Sequence, residues 1–288
     1  MQDIVYSVII PHYNSVDSLR VLLASIPRRK DIEVIVIDDS SDVTPEILFT
    51  EFNFKYFTNT GLKGAGSARN IGIDNSSGRY FLFADSDDYF LENSFDIFDM
   101  YVKNVPNLDV VYFSPTSIKD NDKKSKRHNK YSLLVNDFIE KGDETLRYRF
   151  HVPWSKLICS KLVHLHNIRF DEVIASNDVN FSLKVGFYGS VIKADKRNVY
   201  CVVEKEGTLT KQTSEKVIDS RFDALCRYNE FVFHNNRMDL KYAMSTHIYS
   251  SLKFGLNKGL YRFFYCRYKN YPIFHDVKHV ITAFKKLL

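Results

Sequence analysis

Cysteine is scarce and scattered in this 288-residue chain. Cys159, Cys201, Cys226 and Cys266 form no C-x-x-C spacing, which argues against a disulfide framework or a thiolate zinc site and suits buried thiols in a reducing compartment. Of the nine histidines only His275 and His279 are spaced H-x-x-x-H, and the histidines are read as background. No run reaches the roughly 18–20 apolar residues that a spanning helix requires. The opening "MQDIVYSVIIPHYN" has no basic start, and its apolar run has the length of a strand rather than of a secretory leader. Internal repeats and low-complexity linkers are missing as well. Tryptophan occurs once, at Trp154.

What is present is enough apolar material for a core, 44% hydrophobic and 15% aromatic, which argues against disorder. The net charge is +5, unevenly placed: from Lys241 onward nine Lys/Arg face one acid, Asp276. A basic tail suits nucleic acid, an anionic membrane surface or a solvated face.

The first part alternates strand and helix. "VYSVII" (5–10), "EVIVI" (33–37), "FKYFT" (54–58) and "YFLFA" (80–84) read as strands. Between them, 15–26 spaces Val16, Leu19, Leu22, Leu23 and Ile26 on one helical face. Short helices near 44–51 and within "GAGSARNIGIDNSSG" (64–78) follow. Continuous apolar strands alternating with helices predict an α/β fold whose mostly parallel sheet is covered on both faces. Further on, 93–105 suits a helix, 109–114 a strand and 118–131 an exposed loop. Residues 133–150, 157–167 and 178–186 read as helices and 190–203 as a strand pair. From about 219 the chain reads as helical and aromatic.

Ligands of such sheets bind beyond the carboxyl ends of the strands, and each strand here ends in a polar cluster. Asp38 and Asp39 close one strand; Asp85, Asp87 and Asp88 close another. Carboxylates crowded together repel unless something positive joins them. Hard cations such as Mg²⁺ or Mn²⁺ take carboxylate oxygens and keep positions for phosphate. A single Asp pair would read as turn chemistry; two clusters at one sheet edge read as a site. In "KGAGSARN" (63–70), Gly64 and Gly66 allow close backbone approach and Lys63 and Arg69 add positive charge. The dinucleotide fingerprint would need a third glycine, where Arg69 stands. Asp178, in "FDEVIASNDVNF" (170–181), reads as a general base or as a helix N-cap. Trp154 either stacks on a sugar or fills the core.

Together the pieces "SVIIPHYNS", "EVIVIDDSSD", "NTGLKGAGSARNIGI", "SSGRYFLFADSDD", "WSKLICSKLV" and "NDVNF" resemble the inverting glycosyltransferases of family 2, with their GT-A fold, and bacterial capsule and O-antigen enzymes in particular. The resemblance is strong over 4–115 and weaker over 150–210. It implies a catalytic domain over 1–215, with a nucleotide-binding half (1–115) and an acceptor half (116–215), followed by a helical region (216–288). It implies that Pro11 and Tyr13 sit against the nucleobase of a UDP-sugar, with Asp39 accepting from the uracil. Arg69 would lie near base or diphosphate, and Asp85 at ribose or donor sugar. Asp87 would hold Mn²⁺ or Mg²⁺, and Asp88 would touch donor or acceptor. Asp178 would be the catalytic base. The family's Glu-Asp pair is here Asn177-Asp178, and "EGTLTK" (206–211) is a poor match to a further metal or phosphate contact.

The expected reaction moves a hexose or N-acetylhexosamine to a saccharide acceptor, free or lipid-linked, in a cytoplasmic enzyme with no nucleic-acid partner. Oligomerisation is left open. A sugar-nucleotide nucleotidyltransferase would carry a glycine-rich loop where "PHYNSVDS" stands. A non-catalytic nucleotide-sugar sensor would not need Asp178. The segment "DVKHVITAFKKLL" (276–288), with the upstream "YRFFYCRYKNYPIF", suits a peripheral membrane contact at the inner face of the plasma membrane, or packing on its own domain or a second subunit.

Overall fold

The computed structural model describes residues 3–120, 123–205 and 212–274. "EGTLTK" and the 276–288 segment lie outside the described residues. The strands of the first half form as their apolar runs predict: β1 (Tyr6–His12), β2 (Ile32–Asp38), β3 (Lys55–Thr58) and β4 (Tyr80–Phe83). β1 and β4 are buried along their whole length, as strands covered on both faces must be. Helix α1 (Val16–Ala24) buries Leu19, Leu22 and Leu23, the stripe that its spacing predicts. A 3-10 turn (Pro45–Thr50) precedes β3, and α2 (Ala65–Asp74) precedes β4.

The chain continues through β5 (Tyr89–Phe90), α3 (Ser94–Asn104), β6 (Val110–Lys119), α4 (Asn129–Lys141), α5 (Thr145–Arg149), β7 (Lys156–Cys159), α6 (Ser160–Leu165), α7 (Val179–Tyr188) and β8 (Ile192–Glu204). Helices α8 (Glu215–His234), α9 (Ser245–Ser251) and α10 (Leu256–Tyr268) follow among the described residues. The eight strands form one sheet in the order β3-β2-β1-β4-β7-β6-β8-β5.

Three readings of the sequence are corrected. Residues 157–167 are not one helix: β7 inserts antiparallel between β4 and β6 before α6 begins. A four-residue strand is too short to show a period, and its partners lie far away in sequence. Residues 190–203 are one strand, not a pair. The polar stretch "KADKRN" imitates a turn, yet it stays extended and pairs with β6 through local register shifts. The helix expected over 133–150 is split into α4 and α5 at Gly142, whose φ of 67° is left-handed.

The first core lies around the sheet. A second unites Tyr148, Val179 and Leu183 with Phe222, Leu225, Tyr228, Val232 and Met244. The C-terminal helices are therefore anchored on α5 and α7, the latter being the helix that Asp178 precedes.

Candidate active site

Parallel register brings the two acidic clusters to one edge. β1 pairs with β2 so that His12 stands beside Asp38, and with β4 so that Ile9 stands beside Phe83, two residues before Asp85. Asp38 does local work. Its Oδ1 accepts from His12 Nδ1 at 3.0 Å, and its carboxylate takes the Ser41 N–H and hydroxyl. The other ring nitrogen of His12 accepts the Ser15 N–H.

Asp39 organises the next loop. Its Oδ1 accepts from Asn59 Nδ2 at 2.6 Å and from the Gly64 N–H at 3.1 Å. Gly64 has φ 142°, a backbone that a side chain would strain. Gly66 brings the first turn of α2 against the Asp171 carbonyl, where any Cβ would collide. This contact joins the glycine-rich stretch to the loop before Asp178.

Arg69, one turn further along α2, spans both halves of the site. Nη2 donates to Asp85 Oδ1 at 2.6 Å and Nη1 to Asn177 Oδ1 at 2.9 Å. The buried guanidinium lies over the Phe170 ring at 5.2 Å, and Phe170 is stacked on Phe181 at 3.9 Å. The substitution at 177 now has a physical reading. An amide oxygen accepts the Arg69 bond without placing another negative charge beside Asp178.

The three acids after β4 divide by depth. Asp85 is partly exposed, and its N–H donates to the Tyr200 hydroxyl at 2.9 Å. Asp87 is partly buried. Burial and then the Asp85 charge raise its pKa, with Lys205 working in the opposite direction. Asp88 points inward, accepting the Val203 N–H at 2.8 Å and a bond from the Tyr200 hydroxyl. Burial, then Asp85 and Asp87, push its pKa well up. In this structure Asp88 fastens β8 to the acidic loop instead of facing a substrate, because β8 brings an N–H and a hydroxyl to it.

Asp178 holds the N-cap position of α7, but its side chain makes no capping bond. Its carboxyl is raised by burial, with Asp85 adding to the effect and Arg69 and Lys156 opposing it. The fold thus places Asp178 in the electrostatic neighbourhood of Asp85 and Arg69. Of the other expected residues, Pro11 is buried in β1. Tyr13 is exposed, with Lys63 Nζ 4.0 Å from its ring centre. Trp154 is 1% exposed and stacked on Tyr200 at 5.8 Å, so it fills the core and presents no face to a sugar.

Lys156 is a site neighbour that the sequence did not reveal. It is 1% exposed. Its Nζ donates to the Phe150 carbonyl at 2.7 Å and to Ser182 Oγ at 3.1 Å. Ser182 is one turn after Asp178 and bonds back to its carbonyl, so Lys156 pins the turn that carries Asp178. Burial lowers the Lys156 pKa from 10.5 to about 7, and two acceptors match the two N–H groups of a neutral amine. Between those pH values the unfolded chain holds a proton that the folded chain has released. Stability should therefore rise with pH across that window, by up to about 1.4 kcal/mol per unit from this group. Urea titrations of wild type and Lys156→Met at pH 7 and 9 check this: the variant should lack that part of the rise. Equal pH dependence in the two proteins would remove Lys156 from the account.

Among the described residues no three His, Cys, Asp or Glu side chains gather as a metal cage. What the edge offers is Asp85 and Asp87 side by side, the latter with its pKa raised by burial and its neighbour. That donor set fits Mg²⁺ or Mn²⁺ bound by one or two carboxylates, with the remaining positions filled by phosphate oxygens and water.

The profile of glycosyl transferase family 2 matches residues 7–163, more than half of the chain and all of the strands that carry these acids. The chain belongs to glycosyl transferase family 2. Among curated members it is 32% identical over 127 residues to the Escherichia coli protein WfgD, a UDP-Glc:alpha-D-GlcNAc-diphosphoundecaprenol beta-1,3-glucosyltransferase. That match covers 42% of this chain and 49% of WfgD, so the chain spans about half the length of that relative. Among solved structures it resembles Staphylococcus aureus TarS 1–349 in complex with UDP-GlcNAc, with a TM-score of 0.61 and 19% identity, covering 89% of this chain and 75% of that one. It also resembles a mannosyltransferase from Pyrobaculum calidifontis in complex with GDP-Man and Mn²⁺, with a TM-score of 0.57 and 12% identity, covering 93% and 76%. The fold of this family 2 chain is accordingly GT-A, its sheet mostly parallel as expected, with β7 and β5 joining antiparallel.

Proposed function

We propose that the chain transfers a hexose or N-acetylhexosamine from a UDP-sugar to a saccharide acceptor, inverting the anomeric centre. The observation that carries this is Asp178: a partly buried carboxylate with a raised pKa, free of any capping bond, tied through Asn177 and Arg69 to the acidic edge. A general base works best when its pKa approaches the working pH. Asp178 would take the proton of an acceptor hydroxyl. The oxygen would then form its bond to the anomeric carbon as the bond from that carbon to the diphosphate breaks. Asp178 keeps the proton, and the electron pair leaves with UDP. Pro11, Tyr13 and Asp39 would form the base and ribose end, and Arg69 would hold Asp85 toward the donor.

Asp87, with Asp85 beside it, would hold Mg²⁺ or Mn²⁺, which when bound neutralises charge on the departing diphosphate. The name of WfgD, with its diphosphoundecaprenol-linked acceptor, and that of TarS, with its poly(ribitol-phosphate) acceptor, support a role in surface polysaccharide synthesis with a lipid-linked acceptor, which would be carried out at the cytoplasmic face. UDP release from a panel of UDP-sugars, with Mn²⁺ and with EDTA, tests the reading. No release with any donor and acceptor, despite UDP binding, would favour a sensor. In calorimetry, Asp87→Asn should weaken UDP binding roughly tenfold or more in Mn²⁺, about 1.4 kcal/mol, and change it little in EDTA. Equal weakening in both conditions would remove the metal role.

A further inference from the structure

Helix α10 turns an apolar face outward. Leu256, Leu260 and Phe264 recur at four-residue spacing, with Tyr261 and Tyr268 on the same arc. Leu256 is 67% exposed, Tyr261 68%, Phe264 63% and Tyr268 83%. The opposite face carries the inward contacts. Arg262 donates to Asp219 and Ser251, Lys258 to Glu215 and Asp219, and Gly259 and Cys266 are buried with them. Cations facing in and aromatics facing out invert the usual surface helix. Contiguous exposed apolar patches mark interaction surfaces.

The charge around this face identifies its occupant. α10 contains no acid. Arg267 lies on the apolar arc and Lys253 just before the helix; among the described residues neither makes an ion pair. At the far end of the helix, Arg267, Lys241, Asn270 and Tyr271 line a cleft of about 430 Å³. Asp239 also lines it, but its carboxylate is taken by Arg237. Aromatic and aliphatic side chains in one plane, flanked by Arg267 and Lys253 without ion pairs and by Lys241, whose Nζ donates to the Asn270 carbonyl at 2.7 Å, match an anionic lipid surface.

We propose that the α10 face seats the protein on an anionic bilayer. Leu256, Leu260 and Phe264 would enter the acyl boundary, Tyr261 and Tyr268 would lie at headgroup level, and Arg267 and Lys241 would meet lipid phosphate. No helix among the described residues is long and apolar enough to cross a membrane, so the contact is a peripheral one. It does not depend on the chemistry at Asp178.

The test is flotation of the full chain with phosphatidylcholine vesicles, with and without phosphatidylglycerol, at low and high salt. Binding is expected with the anionic vesicles and should weaken in salt. Leu260→Glu combined with Phe264→Glu should lower it roughly tenfold or more, and Arg267→Ala about fivefold. UDP-sugar turnover on a soluble acceptor should be unchanged in both variants, which separates this proposal from the catalytic one. Three outcomes overturn it: no wild-type binding to anionic vesicles; unchanged binding by the Leu260/Phe264 variant; or a wild-type oligomer that this variant dissolves without any vesicle binding, which would make a second copy the occupant.

Discussion

Asp178→Asn should lower sugar transfer roughly 10²–10⁴-fold, the range for removal of a general base, while UDP binding is retained. The amide preserves the shape but accepts no proton. Because burial raises the Asp178 carboxyl, wild-type transfer should fall on the acid side at a pH above the ordinary aspartate value of about 3.9. That limb should vanish from whatever activity the variant keeps. The stability sign runs the other way. A raised carboxyl binds its proton more tightly in the folded chain, so its contribution is greatest at low pH and is lost as pH rises through the folded value. At neutral pH the variant, relieved of a buried charge, should melt at or above wild type. Transfer at wild-type rate in Asp178→Asn would exclude this residue as base.

Arg69→Met should be the most damaging substitution for the site as a whole. Arg69 is the cation that Asp85 meets directly, and it also offsets the charge on Asp178. Breaking a buried ion pair from one side costs on the order of 3–5 kcal/mol; Asp85 is partly exposed, so the loss should sit toward the lower end. Urea unfolding would read it, alongside a loss of both UDP binding and transfer. Arg69→Lys should rescue little, since one ammonium cannot reproduce the fork that reaches Asp85 and Asn177 together. An Arg69→Met protein with wild-type stability and binding would show that the two halves are held by other contacts.

Local pattern decided much about this protein. Continuous apolar runs alternating with amphipathic spacing specify β1 to β4 and their helices, because each signal lies within a few neighbouring residues. Parallel strands then carry their terminal acids to one edge, so Asp38, Asp39 and Asp85 to Asp88 were legible as a cluster. Pairings and depths set by distant neighbours were not legible. β7 is four residues whose strand state depends on β4 and β6. Asp87 and Asp88 look equivalent in sequence; only the N–H of Val203 and the hydroxyl of Tyr200, delivered by β8, turn Asp88 inward. Trp154 became core because Tyr200 lies against it, and Lys156 became the pin beneath Asp178 because Ser182 and the Phe150 carbonyl converge on it. The sequence by itself determined which residues could carry charge to the sheet edge. The tertiary structure decided which of them stay there, because burial and hydrogen bonding are settled by partners more than a hundred residues away.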